Sequence, residues 1–238
     1  MAVNVDIKDL FEAGAHFGHK TSRWHPKMAP YIHSKRDESH IINLDKTVER
    51  LEEVLPLVTK TVADGKQVLF VGTKKQVNEI VRLVAESVGQ PYVTERWLGG
   101  MLTNTATISS QIKKLKLLEK KMASGELANR YNKLEVQRFQ EQINDGNKKY
   151  GGIKELRGKP GMVFVADAIV DRNAINEANR LEIPVVAIVD SNADPAGIDH
   201  IIPANDDAIG AVKLIADYIV EATKEGQKVT DKKVEVKK

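Results

Sequence analysis

Five short runs rich in valine and isoleucine constrain the fold of this 238-residue chain more than any other feature. Each run is apolar on both faces, and most are separated by patterns typical of helices. Such runs belong to a parallel sheet that is covered by helices on both sides. We therefore predict a doubly wound α/β domain with strands at QVLFVG (67–72), PYVTE (91–95), MVFVAD (162–167), PVVAIVD (184–190) and HIIP (200–203).

Helical periodicity accounts for much of the remaining chain. A short helix over 6–13 is predicted to be capped by Asp6, with Leu10 and Phe11 facing inward. A longer one begins at Asp45 and contains Pro56, which predicts a kink or a split near Val54. Further helices are predicted at 77–84, 171–181 and 206–223.

Residues 105–150 interrupt the α/β pattern with a basic, helical insertion. Its first arm carries one apolar stripe, the Ser124-Gly125 pair breaks it, and a second, polar helix follows from near Glu126 to Asn144. The stripe consists of Ile108, Ile112, Leu115, Leu118 and Met122. We predict a projecting hairpin of two antiparallel helices, with a first arm of roughly 28 Å.

Four segments result. Residues 1–44 form an N-terminal helix, a basic loop and short strands; 45–104 and 151–225 form the α/β domain; 105–150 form the hairpin; and 226–238 form a disordered basic tail.

Composition excludes several classes of protein. No apolar run approaches the roughly 20 residues that span a bilayer, the N-terminus lacks the pattern of a signal peptide, and the absence of cysteine excludes thiol chemistry. We expect a cytoplasmic protein without a membrane partner. Its net charge of +3 is unevenly distributed, because 101–160 hold 13 basic and 6 acidic residues, whereas 161–226 hold 4 basic and 12 acidic ones. This asymmetry is typical of a protein with one face on a polyanion.

The most basic short stretch is residues 20–36, which contain five cations and no acid. Two prolines predict an irregular, extended segment, and YIHSKRDESHIINL predicts two strands around a turn at 36–38. The cations can donate to phosphates, and Trp24 and His25 can stack on sugars or bases. The predicted RNA-binding residues here are Lys20, Arg23, Trp24, His25, Lys27, Lys35 and Arg36.

The histidines of this stretch allow two other interpretations. His16, His19 and His25 could bind a metal, with His33 and His40 just beyond, but no acid or cysteine nearby completes a tetrahedral set. Ser22 and Ser34 lie near histidines without any sign of activation as nucleophiles. We expect no metal, cofactor or catalytic residue, and we expect His16 and Phe17 to pack the loop.

Three other motifs remain open between a functional and a structural role. VGTKKQ ends a strand at Gly72, where free amides beside Lys74 and Lys75 could hold a nucleotide or an RNA backbone; it could equally be an ordinary turn, because the glycine-rich phosphate fingerprints are missing. ERWLGGMLTN could expose Arg96 and Trp97 at the start of the hairpin, or bury Trp97. The acidic run 190–207 could bind magnesium, or Asn205 and the two aspartates after it could cap a helix.

Together, four blocks closely resemble the bacterial small-subunit ribosomal protein S-two family: GAHFGHKTSRWHPKMAPYI, FVGTKKQ, ERWLGGMLTN and DPAGIDHIIPANDDAIGAVKLI. The resemblance runs from about residue 6 to 222. It implies a flavodoxin-like parallel sheet with an inserted α-helical coiled-coil hairpin. The chain departs from the family pattern at His25, Thr105 and Gly210, where the family usually has Asn, an aromatic residue and Arg.

The resemblance implies a structural constituent of the small ribosomal subunit, not an enzyme. Its implied partners are small-subunit rRNA and neighbouring ribosomal proteins, including the large OB-fold protein S-one. Lys113 and Lys114 of the hairpin complete the predicted RNA-binding set. The alternative is a nucleotide-dependent enzyme that uses the switch point near Gly72, and a third hypothesis is an adaptor that holds another protein through the hairpin.

Overall fold

A computed structural model describes residues 5–235 of the chain. The first element of secondary structure is helix α1 (Ile7–Glu12). The Asp6 carboxylate caps it by accepting a 2.8 Å hydrogen bond from the Lys8 amide, as predicted. Leu10 is buried, but the side chain of Phe11 is 60% exposed, so the prediction that Phe11 faces inward is wrong. The reason is that Phe11 stacks on His16, at a ring separation of 4.3 Å, outside the core.

Three short strands follow: β1 (Phe17–Lys20), β2 (Ile32–Arg36) and β3 (Ser39–Ile42). They form an antiparallel sheet in the order β1-β3-β2. The predicted β2–β3 pair and its turn are confirmed, with Asp37 and Glu38 at φ of 47° and 61°, as a tight two-residue hairpin turn requires. Strand β1 was not predicted.

The segment between β1 and β2 is more ordered than the sequence indicated. It contains two 3₁₀ helices, Thr21–Arg23 and Pro26–Tyr31, where we predicted an extended chain. Pro26 suits the first position of the second helix because its amide hydrogen is not needed there. Met28 is fully buried and fixes this helix to the body of the protein.

Helix α2 (Leu44–Ala63) is a single element of 20 residues. Pro56 lies inside it on the exposed side, so the predicted split near Val54 does not occur. The opposite side of the helix is buried, notably at Leu51 and Val58. Packing of this apolar side outweighs the backbone hydrogen bond that a proline removes.

The main sheet has five parallel strands, all of them predicted. They are β4 (Val68–Val71), β5 (Tyr92–Val93), β6 (Met162–Val165), β7 (Val185–Val189) and β8 (His200–Pro203). Their order is β5-β4-β6-β7-β8. Counted within the sheet, this is 2-1-3-4-5, the flavodoxin-like order, in which the switch point lies between the carboxyl ends of β4 and β6.

Helices cover both faces of this sheet. Besides α1 and α2, the α-helices of the described chain are α3 (Asn78–Ser87), α4 (Thr105–Ala123), α5 (Glu126–Arg130), α6 (Lys133–Tyr150), α7 (Arg172–Arg180) and α8 (Ile209–Glu235). Side chains alternate along β4, so that Val68 and Phe70 pack with α2, α3 and α8. Leu69 and Val71 pack on the other side with α7. The doubly wound prediction is therefore confirmed.

The insertion consists of α4, α5 and α6. The predicted second arm is two helices, because the chain leaves helical geometry at Tyr131 and restarts at Asn132, whose side chain forms a capping box with Glu135. Leu115 of α4 packs over Gly146 of α6, where a Cβ would lie only 2.8 Å from the Leu115 side chain. A coiled-coil twist of this pair stays a prediction.

Helix α8 runs on to Glu235, so the predicted disorder of 226–238 is wrong for the described part of that segment. Two contacts explain why the helix continues. The Gln227 side chain donates to the carbonyl of Val88, and the Thr230 hydroxyl donates to the carbonyl of Val62, at 2.7 and 3.0 Å. Residues 236–238 lie outside the described chain.

Candidate nucleic-acid interface

Residues 20–36, which we call the basic loop, present most of their charge to the outside. The side chains of Lys20, Arg23, Lys35 and Arg36 are exposed. Trp24 is 38% exposed and lies beside the buried His40, with ring centroids 5.2 Å apart. One side of the indole is thus supported by the protein, as a stacking platform requires.

The basic loop is fixed to the loop that follows β7. The His19 amide donates to the Ser191 hydroxyl at 2.8 Å, and the His25 amide donates to the Ser191 carbonyl at 2.7 Å. A Cβ on Gly18 would lie 2.8 Å from the same hydroxyl, so the close approach of the two chain segments requires glycine. Ser191 was not among the predicted site residues, because its partners lie about 170 residues away in the chain.

Two of the predicted RNA-binding residues are engaged by the same acid, Asp194. The Lys27 ammonium lies 3.1 Å from the Asp194 carboxylate, and the His25 imidazole lies 3.9 Å from the same group. Hydrogen bonds from the Ala196 amide and from Lys27 lower the pKa of Asp194. A phosphate at this point would have to compete with Asp194.

Lys74 has a role that the sequence did not indicate. Its ammonium lies 2.7 Å from Asp206, 2.8 Å from Asp207 and 3.0 Å from Asp167, and its side chain is only 14% exposed. Burial alone would lower the pKa of Lys74, but the hydrogen bonds to Asp206 and Asp207 outweigh it and raise that pKa. In this structure Lys74 neutralises an acidic cluster, whereas its neighbour Lys75 is exposed.

The chain after Gly72 does not enter a helix at once, as we predicted, and its first amide, that of Thr73, is not free. Helix α3 begins only at Asn78, and the Thr73 amide and hydroxyl donate to Asp171 at 3.0 and 2.8 Å. Burial raises the pKa of Asp171 to about 6. The crevice where flavodoxin-like proteins bind ligands is therefore occupied by side chains of the protein itself.

The acidic cluster consists of Asp167, Asp171, Asp190, Asp206 and Asp207. Burial, followed by the charges of Asp167 and Asp190, raises the pKa of Asp206 to about 7. His19 bridges two members, with Nδ1 3.1 Å from Asp190 and Nε2 3.3 Å from Asp207, and the hydrogen bond to Asp190 raises its pKa. Asn205 accepts from the amides of Asp207 and Ala208 in the turn before α8, which begins only at Ile209, so neither Asn205 nor the aspartates cap this helix as predicted.

The fold places His19 beside possible metal ligands, although no such ligand is close to it in the sequence. Among the described residues, His19, Asp206 and Asp207 each place a potential ligand atom within 4.8 Å of the others. These acids lie almost 190 positions further along the chain, so a local search of the sequence could not find them. His16 is different, because it packs between Phe11 and Phe17, and burial lowers its pKa, which agrees with the predicted packing role.

The junction before the insertion is held by one buried carboxylate. Glu177 of α7 accepts hydrogen bonds from the Trp97 indole at 3.0 Å and from the amides of Gly100, Leu102 and Thr103. Trp97 is buried, so the core interpretation is confirmed for this residue. Burial would raise the pKa of Glu177, but these donors outweigh it and lower that pKa.

The remaining predicted residues lie on separate elements. Arg96 is exposed in the junction, and Lys113 and Lys114 are exposed on α4. The structure thus brings together the basic loop and the neighbouring acidic cluster, whereas Arg96 and the α4 lysines belong to the junction and the insertion. In the described part of the chain, no helix is long and apolar enough to cross a membrane.

Fold and site together define a doubly wound α/β protein with a ligand crevice closed by its own ion pairs and with exposed cations on the adjoining loop. Residues 10–226 match the profile of the family described as Ribosomal protein S2. The chain is similar to the small ribosomal subunit protein uS2 of Roseiflexus sp. (strain RS-1), with 48% identity over 223 residues that cover 94% of this chain and 85% of the relative.

The chain therefore belongs to the ribosomal protein S2 family. It is a structural protein of the small ribosomal subunit and not an enzyme, which decides against the nucleotide-dependent alternative near Gly72.

Proposed function

We propose that this protein binds small-subunit rRNA through the basic loop. The observation that carries the proposal is that Lys20, Arg23, Lys35 and Arg36 are all exposed on a segment whose backbone is fixed by Ser191. A fixed loop loses little conformational entropy when it binds, so its cations can be placed against phosphates at low cost.

Trp24 gives this surface a second type of contact. The indole is partly exposed and lies against His40, which is buried. Single-stranded or looped RNA offers unstacked bases to such a side chain, whereas a duplex offers mainly phosphates and 2′-hydroxyls. We expect Trp24 to contact an unpaired base or a sugar beside the phosphates held by the loop.

The protein also has apolar surface for a protein neighbour. Phe11, Phe17 and Ile209 are more than half exposed, and a Cβ on Gly14 would touch both Phe17 and Ala208. Exposed aromatic and aliphatic side chains close together are typical of an interaction site. We propose that this protein helps to dock the ribosomal protein S-one on the ribosome in the cytoplasm. A pull-down with purified S-one tests this proposal, and we expect the Phe11→Ser/Phe17→Ser variant to retain less S-one than the wild type.

Co-sedimentation with small ribosomal subunits that lack this protein tests the rRNA proposal. We expect Arg23→Ala/Lys35→Ala to reduce the bound fraction at moderate salt. The control is Lys60→Ala/Lys66→Ala, which also removes two exposed cations, but near the carboxyl end of α2. Equal losses in the two variants would mean that net charge and not the basic loop determines binding.

A further inference from the structure

Tyr131 lies on the surface between α5 and α6 and is 44% exposed. Its backbone is fixed on both sides. The Tyr131 amide donates to the carbonyl of Leu127 at 3.0 Å and closes α5, and the next residue, Asn132, caps α6 together with Glu135. The aromatic ring is therefore presented in a defined position at the tip of the insertion.

A second aromatic side chain orients this ring. Phe139 of α6 meets Tyr131 at a centroid distance of 5.1 Å and an interplanar angle of 73°. In an edge-to-face pair at least one face of the tyrosine ring stays uncovered by its partner. An exposed, oriented aromatic face is a surface on which a nucleic-acid base can stack.

The charges around the ring favour an anionic partner. Residues 120–141 contain five basic and three acidic residues. The acids already have partners in the protein: Glu126 pairs with Arg130 and Lys121, Glu135 completes the cap, and Glu141 accepts from Gln137. Among the described residues no ion pair engages the exposed Lys120, Lys133 and Arg138, so these three cations remain for a ligand.

The amino end of α6 does not itself hold the anion. The capping box satisfies the amides of Asn132 and Glu135 and places the negative Glu135 carboxylate there, which disfavours a second anion. Recognition at the tip must therefore come from side chains, namely the Tyr131 ring and the unpaired cations.

We propose that the tip of the insertion is a second RNA contact, in which Tyr131 stacks on an unpaired base and Lys133 and Arg138 hold the adjacent phosphates. This proposal rests on the proposed binding of rRNA and adds a site outside the basic loop. Since α4 has 19 residues, the tip lies about 28 Å from the start of the insertion. Two separated contacts on one chain raise the affinity of each through effective concentration.

The test uses the full-length chain and two probes, transcribed small-subunit rRNA and single-stranded oligouridylate. We expect Tyr131→Ala to weaken binding to both roughly tenfold. Tyr131→Phe keeps the ring and should stay within about twofold of the wild type, whereas Tyr131→Leu keeps apolar bulk only and should lose as much as the alanine variant. Full affinity in Tyr131→Leu would overturn the proposal in favour of an apolar protein contact.

Salt dependence separates stacking from structural damage. The Tyr131 variants should leave the slope of log K against log salt unchanged, and Lys133→Ala/Arg138→Ala should make it shallower by about 1–2. The latter variant removes exposed side chains only, so it stays informative even if Tyr131→Ala lowers the melting temperature of the insertion. An unchanged slope for Lys133→Ala/Arg138→Ala overturns the proposal.

The two proposed RNA contacts can fail separately. If the tip variants bind like the wild type while Arg23→Ala/Lys35→Ala does not, only the proposed contact at the tip is wrong. If no variant changes binding, the proposed binding of rRNA by the basic loop is wrong as well.

Discussion

The basic loop and the acidic cluster lie side by side, yet they use lysine in opposite ways. Lys35 of the loop is exposed, whereas Lys74 is turned inward among Asp167, Asp206 and Asp207. In the sequence both are cations in short basic motifs. The difference shows that a lysine can serve a partner only when the protein does not supply its counter-charge. Removing an inward lysine should therefore lower stability, and removing an outward one should lower affinity.

The largest effect is expected from removing the inward lysine. Lys74→Ala leaves Asp167 and Asp206 buried without a cation, and breaking a buried ion pair in this way costs roughly 3–5 kcal/mol. The measurement is the free energy of unfolding in urea at pH 7. Lys75→Ala is the matched control, since Lys75 is exposed and its loss should change stability by less than about 0.5 kcal/mol. Similar values for the two variants would show that Lys74 does not neutralise the cluster.

Trp24 tests the outward-facing surface by affinity and not by stability. Trp24→Ala should weaken binding to small-subunit rRNA by about 1–3 kcal/mol if the indole meets a base. Trp24→Phe retains an aromatic face and should recover most of that loss. Fluorescence anisotropy with labelled rRNA measures both. Equal weakening by alanine and phenylalanine would show that the ring does not stack.

The acidic cluster should make stability depend on pH near neutrality. The pKa of Asp206 is raised to about 7 in the folded protein, so the folded state holds a proton that the unfolded state has released above about pH 4. Its contribution to stability therefore falls as pH rises towards and through 7, by on the order of 1 kcal/mol between pH 6 and 8.

His19 acts in the same direction as Asp206. Its pKa is raised by Asp190, so its contribution is complete below about pH 6.5 and is lost as pH rises through the folded-state pKa. Urea unfolding at several pH values measures the sum, and Asp206→Asn should flatten the profile. A wild-type stability that increases from pH 6 to 8 would contradict these directions.

The smallest effect concerns Lys27, a cation of the basic loop that is paired with Asp194. Because Asp194 already holds it at 3.1 Å, Lys27→Ala should weaken rRNA binding less than Arg23→Ala, by about half as much or less. Adding Asp194→Asn to the wild type should strengthen binding slightly, since it frees Lys27. Equal losses for the two single variants would mean that the Asp194 pair does not compete with the RNA.

All five strands of the main sheet could be predicted because each lies in a short, mainly apolar run, and Asp6 could be predicted as a cap because capping is a local effect. The contacts that shape the site are not local. Lys74 and Asp206 lie 132 positions apart, and His19 and Ser191 lie 172 apart. No periodicity or motif in the sequence reports such pairs.

The wrong predictions for α2 and for the carboxyl-terminal segment have the same origin. Pro56 predicted a kink or a split in α2, of which the split does not occur, and 226–238 were predicted to be disordered although α8 continues to Glu235, because local preferences alone were considered. Tertiary packing decided both cases: the buried side of α2 holds that helix together, and Gln227 and Thr230 bond to the carbonyls of Val88 and Val62.

Whether the exposed cations of the basic loop bind rRNA phosphates is decided by the salt dependence of rRNA affinity. With about five phosphates neutralised, log K should fall against log salt with a slope of roughly −4, and Arg23→Ala/Lys35→Ala should reduce its magnitude by about 2. Lys60→Ala/Lys66→Ala should leave the slope as it is. A flat wild-type profile, or an unchanged slope in the loop variant, would show that these cations do not hold the RNA.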